Sequence, residues 1–269
     1  MMKKLNFENT TVLITGASSG IGKEFSKQLA SKGANLVLTA RTHSDLIKLA
    51  QQLESDHPNI WIKTIPADLS DLNAPRKLFE KINDLGLSVD YLINNAGFGK
   101  FCEFSAESFD TYHNMLMLNI NALVELTHLC LPTMINKNCG GVINVASIGS
   151  FQPLPYQTVY GASKAFVLSF SEALTGELLD TNIRVMALCP GTTESRFMEN
   201  ANADTSNMNL APASKVVSSA LTAYAKNRMY TVSGTINYLV SLIPRLVTRK
   251  RTVKIVVNMF KDNVLRGSV

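Results

Sequence analysis

The stretch that decides the fold is TTVLITGASSGIG, residues Thr10–Gly22, near the start of the chain. Its first half is a β-branched, apolar run of the kind that forms a buried strand. Its second half places Gly16, Gly20 and Gly22 in the segment that follows. Glycines there let backbone N–H groups and the N-terminus of the next helix approach a pyrophosphate with no Cβ in the way. The stretch therefore predicts the phosphate-binding end of a dinucleotide-binding unit.

The rest of the chain alternates apolar runs with segments long enough to hold a helix. A first helix is predicted over Gly20–Ser31, a late helix near Ser214–Lys226 and a short strand near Met229–Val232. The apolar runs between them are Asn35–Thr39, Trp61–Ala67, Val89–Asn94, Gly141–Ala146 and Ile183–Cys189. Strands that alternate with helices give a parallel sheet covered on both faces. We therefore expect an α/β fold, a doubly wound Rossmann-type parallel sheet, with residues 1–269 as a single domain.

Length and composition narrow the class of protein. Of the 269 residues, 46% are hydrophobic and 17% are charged, which suits a folded chain with a full core. The longest continuous apolar stretches fall short of the roughly 18–20 residues that span a membrane, and the first residues lack the apolar segment of a signal peptide. The net charge of +5 comes with no nucleic-acid-binding motif. We expect a cytoplasmic protein that binds no nucleic acid.

The spacing Thr-Gly-x-x-x-Gly-Ile-Gly, from Thr15 to Gly22, resembles that of the classical short-chain dehydrogenase/reductase family. Further segments match motifs of that family in the same order, so that the resemblance covers residues 13–191. These segments are Asp68-Leu69, Asn94-Asn95-Ala96-Gly97, Asn119, Ser147, Tyr160, Lys164 and Pro190-Gly191. One position departs from the pattern, because Ser195 stands where the family often has a threonine near the nicotinamide amide.

The resemblance implies a nicotinamide cofactor bound at the carboxyl ends of the strands. Asp68 matches the acid that contacts adenine in the family. The residues that the resemblance assigns to the cofactor are Gly16, Ser18, Ser19, Gly20, Ile21, Gly22, Asp68, Leu69, Asn95, Ala96, Gly97, Tyr160, Lys164, Pro190 and Gly191.

The end of the second predicted strand distinguishes the two nicotinamide cofactors. An NAD site of this type places an acid about 20 residues after the glycines, whereas an arginine suits the 2′-phosphate of NADP. Here the sequence reads LTARTHS over Leu38–Ser44, with no acid before Asp45. Arg41 is available for a charge-assisted phosphate contact, although a solvated surface arginine would look the same in the sequence. The pattern favours NADP(H).

Tyr160 and Lys164 lie four residues apart in an apolar helical run, so both side chains share one helix face. A nearby ammonium favours the phenolate, and Lys164 is therefore expected to lower the pKa of Tyr160. This pair alone is common on amphipathic helices, but Ser147 ends an apolar strand 13 residues earlier, as in the family. The family's catalytic tetrad is completed by Asn119, with Asn121 as the rival for that role.

The resemblance implies an NADPH-dependent oxidoreductase that reduces a carbonyl group to an alcohol by hydride transfer. Tyr160 would be the general acid, Ser147 would hold the carbonyl oxygen, and Lys164 would bind the nicotinamide ribose. Asn119 would support a water-linked proton path behind Lys164. No metal is required, because the histidines and cysteines form no metal-ligand pattern. The alternative is a sensor that binds NADP(H) without turnover.

Apolar residues beside these motifs favour an apolar ketone or a 3-oxoacyl compound as substrate, although core packing would explain them equally well. They are Phe98, Phe101, Phe104 and Phe151. The polar segment Thr192–Ala213 has no sustained period and is expected to be a lid over the substrate. Apolar helices near Ser108–Asn136 and Tyr156–Leu179 match those that pair about a two-fold axis in the family, which implies a homodimer or homotetramer.

The C-terminal extension, residues 235–269, is both apolar and basic. Seven basic residues and the single acid Asp262 lie between Arg245 and Arg266. Such a segment could make a weak contact with an anionic membrane surface, or it could cover the substrate pocket of its own domain. The sequence leaves both explanations open. The apolar residues at helical spacing are Ile236, Leu239, Val240, Ile243 and Val247.

Overall fold

The computed structural model describes residues 5–201 and 210–265 of the chain. Seven parallel strands form one sheet in the order β3-β2-β1-β4-β5-β6-β7. The strands are β1 (Thr11–Thr15), β2 (Asn35–Thr39), β3 (Ile62–Thr64), β4 (Tyr91–Asn94), β5 (Gly140–Val145), β6 (Ile183–Cys189) and β7 (Tyr230–Val232). The predicted doubly wound Rossmann-type sheet, in a single domain, is therefore confirmed.

Helices cover both faces of this sheet. In chain order they are α1 (Gly20–Ala30), α2 (His43–Asp56), α3 (Ala74–Asp84), α4 (Phe109–Leu116), α5 (Ala122–Lys137), α6 (Thr158–Glu177), α7 (Phe197–Asn200), α8 (Ala213–Ala225), α9 (Thr235–Leu246) and α10 (Arg249–Leu265). One buried apolar cluster packs α1, α2 and α8 on one face of the sheet. A second cluster packs α3, α5 and α6 on the other face.

The composition of β1 follows from this three-layer arrangement. Successive side chains of a strand point to opposite faces, so Val12 and Ile14 join one cluster while Leu13 joins the other. All five residues of the strand are buried. A central parallel strand has no solvent face, which is why its sequence is apolar or β-branched throughout rather than alternating.

The helical region Phe109–Lys137 is interrupted by a π-helical turn over Met117–Asn121, between α4 and α5. By length and composition alone, these 29 residues could also cross a membrane, with a mean hydropathy of 1.3 in their most apolar window. In the fold they lie against the sheet, where Leu126, Cys130 and Met134 are buried in the second apolar cluster. Packing in the core therefore accounts for part of the apolar composition of this region, while other apolar side chains, such as Phe109 and Ile135, are exposed.

The C-terminal extension forms the two helices α9 and α10. Val256 of α10 is buried in a small cluster with Tyr160, and Phe260 packs on Phe101 with ring centroids 5.6 Å apart. The extension therefore lies next to the residues that the sequence marks as catalytic. Its last residues, 266–269, and the central part of the predicted lid, residues 202–209, lie outside the described residues.

Candidate active site

The crevice for a ligand lies where the order of the strands reverses. From β1 the chain proceeds outward to β2 and β3, and from β4 it proceeds in the other direction. In open α/β sheets, ligands bind outside the carboxyl ends of the strands at such a switch point. Here Thr15 Oγ1 accepts hydrogen bonds from the backbone N–H groups of Asn95 and Ala96, both at 2.9 Å. Asn95 Nδ2 donates to the carbonyl oxygens of Thr15 and Gly16, at 2.9 and 3.1 Å.

The glycine turn between β1 and α1 requires its glycines for two different reasons. Gly16 has φ +64, in the left-handed backbone region that residues other than glycine rarely adopt. At Gly22, a Cβ would overlap the carbonyl oxygen of Gly16 and Nδ2 of Asn95. The turn is therefore as tight as the spacing predicted, and it leaves the N-terminus of α1 open for a phosphate.

A single cavity of about 670 Å³ extends from this turn to Lys164. Its wall contains all of the predicted cofactor residues except Gly22, together with Arg41 and Ser147. Of the predicted tetrad, only Asn119 is absent from the wall, because it is buried behind it. The cavity, the tight glycine turn and the surrounding polar groups fit a dinucleotide.

Arg41 and Asp68 share one part of the cavity wall. Burial tends to raise the pKa of Asp68, but hydrogen bonds from the Ser70 hydroxyl and backbone N–H, with the charge of Arg41, lower it below 3.8. Asp45, the first acid after β2, is instead paired with Arg196 at 3.0 Å. Arg41 itself forms no ion pair within the described part of the chain. Its guanidinium remains available to an anionic group.

Tyr160 and Lys164 are both buried, and burial moves their pKa values in opposite directions. Burial raises the pKa of Tyr160 to about 12, with a hydrogen bond to Ser147 partly offsetting the shift. Burial lowers the pKa of Lys164 to about 8. Lys164 Nζ donates to the carbonyl oxygen of Val145 at 2.7 Å and lies 5.9 Å from the centre of the Tyr160 ring. The pKa of Tyr160 is thus raised rather than lowered as expected, because burial dominates and the lowering contribution comes from Ser147 rather than from Lys164.

Ser147 is held by the short 3-10 turn that follows β5. Its Oγ accepts from the backbone N–H of Gly149 at 3.0 Å, and its own N–H donates to Ser150 Oγ at 3.2 Å. Ser150 Oγ in turn donates to the carbonyl oxygen of Lys164 at 2.7 Å. These bonds fix the strand-end serine relative to the helix that carries Tyr160 and Lys164.

Asn119 lies inside the π-helical turn, and it is buried and fully engaged. Its Nδ2 donates to the Phe98 carbonyl and to Ser163 Oγ, both at 3.0 Å, and its Oδ1 accepts from the Phe98 N–H at 3.1 Å. Ser163 Oγ donates to the carbonyl oxygen of Tyr160 at 2.7 Å. Asn121, the rival in the sequence, is only half-buried and lies outside this set of bonds. Asn119 therefore links the loop after β4 to the helix of Tyr160.

The apolar end of the cavity is formed partly by residues that the sequence analysis missed. Phe197 lies 5.3 Å from the Tyr160 ring, and Leu154, Val256 and Phe260 line the same region. The four-residue spacing of Val256 and Phe260 is the signal that could have identified α10 as part of the wall. Gln152 Oε1 is buried in this wall and has no hydrogen-bond partner among the described residues.

The predicted aromatic residues divide into two groups. Phe98 and Phe101 line the cavity. Phe104 is exposed and stacks on Tyr112, and Phe151 packs on Tyr230 away from the site, so neither belongs to the wall. Their positions beside motifs in the sequence did not show which way they point.

Ser195 lines the cavity and lies near the start of the segment expected to form a lid. Its Oγ donates to the Thr193 carbonyl at 3.2 Å and accepts from the Phe197 N–H at 3.3 Å. The ends of the segment are joined, since the N–H of Ala211 donates to the carbonyl oxygen of Thr192 at 3.0 Å. The lid itself stays a prediction.

Across residues 5–201 and 210–265, no group of three or more His, Cys, Asp or Glu side chains could hold a metal ion.

Comparison with known proteins gives the family. The family model described as short chain dehydrogenase matches residues 10–206. Sulfoacetaldehyde reductase 2 of Chromohalobacter salexigens is 35% identical over 189 residues, which are 69% of this chain and 73% of that protein. A very-long-chain 3-oxoacyl-CoA reductase of Pyrenophora tritici-repentis is 40% identical over 177 residues, 63% of this chain and 50% of the fungal protein. The alignment thus spans about half the length of that fungal relative.

A solved structure is similar over most of the chain. It is that of a short-chain dehydrogenase from Sphingobium yanoikuyae in complex with NADPH, with a TM-score of 0.79 and 30% sequence identity. The match covers 84% of this chain and 88% of the other. Together with the glycine turn and the buried tyrosine and lysine, these similarities show that the chain belongs to the short-chain dehydrogenase family of oxidoreductases.

Proposed function

We propose that this oxidoreductase uses NADPH to reduce an apolar ketone or a 3-oxoacyl-type compound to an alcohol, with Tyr160 as the general acid. The observation that carries the proposal is the single cavity that joins Arg41 and the glycine turn to Ser147, Tyr160 and Lys164. A site of this form brings a phosphate-binding end and a proton donor into one enclosed volume. The NADPH complex of the relative from Sphingobium yanoikuyae supports the choice of cofactor.

Bound NADPH would supply the hydride that reduces the carbonyl carbon. The glycine turn and the N-terminus of α1 would hold its pyrophosphate, and Arg41 would hold its 2′-phosphate. Asp68 and the backbone of Asn95–Gly97 line the same crevice and would bind other parts of it.

Tyr160 supplies the proton in the proposed reaction. Its raised pKa of about 12 keeps the hydroxyl protonated at neutral pH, so the group is an acid in the free protein. The proton passes from the Tyr160 hydroxyl to the substrate oxygen while the carbonyl carbon gains the hydride. Ser147 donates a hydrogen bond to the same oxygen, and the Lys164 ammonium stabilises the phenolate that remains.

The wall of the cavity supports the proposed substrate class. Phe98, Phe101, Leu154, Val256 and Phe260 give it an apolar surface. The name of the relative from Chromohalobacter salexigens indicates a small, anionic aldehyde, which this wall would not stabilise. A 3-oxoacyl compound, as in the name of the fungal relative, would bury its alkyl part there. The unpartnered Oε1 of the wall glutamine would accept a hydrogen bond from an N–H or O–H group of such a substrate.

The first prediction concerns the choice of cofactor. Arg41→Ala should lower kcat/KM with NADPH by roughly ten- to a hundredfold, because one charge-assisted contact contributes about 1.5–3 kcal/mol. The value with NADH should change little, since NADH has no 2′-phosphate. Lys48→Ala, which removes a cation from the exposed face of the neighbouring helix, is the matched control and should leave both values unchanged. Equal use of the two cofactors by the parent protein would contradict the assignment.

The second prediction concerns the general acid. Tyr160→Phe keeps the ring and its contact with Phe197 but removes the proton donor, so kcat should fall by roughly a hundredfold or more. The dissociation constant for NADPH, measured by fluorescence titration, should stay within about twofold of the parent value. Retention of most of the activity would assign the proton to another group. A parent protein that binds NADPH but turns over none of a panel of ketones and 3-oxoacyl thioesters would instead be the sensor.

The third prediction concerns pH. The pKa of Lys164 is about 8 in the protein without cofactor, so its ammonium is lost as the pH rises through that value. Because kcat/KM for NADPH reports groups of the free enzyme, it should be constant near neutral pH and decline above about pH 8. In Lys164→Met the residual kcat/KM should be low and should not change over this range. A profile of the parent that stays flat to pH 10, near the ordinary pKa of about 10.4 for lysine, would refute the role of the buried ammonium.

The fourth prediction concerns assembly, for which we propose a homodimer. Apolar side chains of α4–α6 remain exposed, among them Phe109, Ile135 and Phe166, and Phe166 stacks on Phe170 at 5.9 Å. Light scattering should give twice the chain mass of 29.4 kDa for the parent protein. Phe166→Glu should shift the mass toward one chain, whereas Leu85→Glu, at an exposed position beyond α3, should not. A parent mass of 29.4 kDa at micromolar concentration would exclude the dimer.

A further inference from the structure

Helix α9 directs a row of large apolar side chains away from the protein. Ile236 is 77% exposed, Leu239 58%, Ile243 44% and Leu246 84%. These four residues are three or four positions apart, so they form one continuous row, here called the α9 stripe. Single exposed apolar residues are ordinary, but a contiguous apolar surface marks an interaction site.

Other side chains of α9 attach the helix to the domain. Val240 lines the cavity, Ser241 is buried, and Asn237 Nδ2 donates to the carbonyl oxygen of Ser233 at 2.7 Å. Helix α9 therefore has side chains that face its own domain and others that do not. Val240 covers the pocket, whereas the α9 stripe does not.

The stripe lies in a segment of strongly positive charge. Between Thr235 and Lys261 the chain has six basic residues and no acidic residue. All six are exposed, and none forms an ion pair with a described residue. They are Arg245, Arg249, Lys250, Arg251, Lys254 and Lys261.

Helix α10 extends this positively charged surface to the opening of the cavity. Met259 of α10 lines the cavity and is nevertheless largely exposed, so it lies at the opening. Ile255 of the same helix is also exposed. Tyr238 of α9 is partly exposed, and a ring with one apolar and one polar end suits the boundary between water and lipid.

We propose that α9 and the connection to α10 bind the surface of an anionic lipid bilayer. The α9 stripe inserts among the acyl chains, and the basic residues contact lipid phosphates, as in other amphipathic helices that lie in the interface. A second copy of the chain is the less favourable occupant. Two copies paired through this face would bring two sets of six cations together without an acid to offset them.

The test is sedimentation of the full chain with vesicles. Vesicles of phosphatidylcholine mixed with phosphatidylglycerol should bind the protein at low ionic strength and release most of it at high ionic strength. Vesicles of phosphatidylcholine alone should bind it weakly. The measurement requires no turnover, so its outcome is independent of the proposed reductase activity.

Two variants, each with a matched control, identify the surface. Arg249→Gln with Lys250→Gln and Arg251→Gln should lower the partition coefficient roughly a hundredfold, since each cation near an anionic surface contributes roughly fivefold. The control carries three glutamines at exposed lysines elsewhere and should bind as the parent does. Its substitutions are Lys63→Gln, Lys77→Gln and Lys81→Gln.

The stripe is tested in the same way. Leu239→Ser with Leu246→Ser should weaken binding about tenfold or more, through the loss of buried apolar area. Leu72→Ser with Leu85→Ser, at positions that are 62% and 53% exposed, should leave it unchanged. An unchanged Tm and NADPH affinity of all four variants would show that they fold.

Three results would overturn the proposal. One is the absence of binding by the parent protein to anionic vesicles at low ionic strength. Another is an equal loss of binding in the variants and their controls. The third is a stripe variant whose mass in light scattering falls from two chains to one while its vesicle binding is unchanged, which would assign the face to a second copy.

Discussion

Thr15 and Asn95 join the carboxyl ends of β1 and β4 through hydrogen bonds of 2.9–3.1 Å. These side chains form hydrogen bonds with backbone groups that would otherwise be unpaired where the two strands diverge. A buried backbone group without a partner costs about 1–3 kcal/mol. The same bonds bring Asn95 so close to the turn that position 22 has no room for a Cβ. The crevice at the switch point is therefore bordered by two strand ends that side chains join just beyond the last paired residues of the sheet.

A short series of contacts connects this junction of β1 and β4 with Tyr160. The loop that leaves β4 passes through Ala96 and Gly97 to Phe98, whose backbone is held on both sides by Asn119. Asn119 in turn holds Ser163, and Ser163 holds the backbone of Tyr160. Tyr160, the proposed general acid, is thus positioned relative to the glycine turn through the backbone of Phe98 and the hydrogen-bonded side chains of Asn119 and Ser163.

Much of the fold and of the site could be predicted from the sequence, because both depend on local patterns. The apolar runs gave the strands and the glycine spacing gave the turn, although β3 pairs over only three residues at the edge of the sheet. The direction of a side chain was harder to predict. Helical spacing shows that α9 has an apolar face, but only the packing around Asn237 and Ser241 shows that this face points outward. In the same way, Phe98 and Phe104 look alike in the sequence and differ in the fold.

The π-helical turn is a feature that the sequence did not predict, and it has a consequence for the evolution of the protein. A π turn holds one residue more than the α-helix around it, and nothing in Met117–Asn121 marks this in the sequence. Removal of one residue there is expected to restore the ordinary α-helical hydrogen bonds between α4 and α5 and to remove the contacts of Asn119 with Phe98 and Ser163. The sheet would keep its packing, whereas the loop after β4, which lines the crevice, would lose the contacts of Asn119 with Phe98. A one-residue deletion is therefore an evolutionary route by which the sheet would persist while Tyr160, the proposed general acid, loses contacts that position its helix.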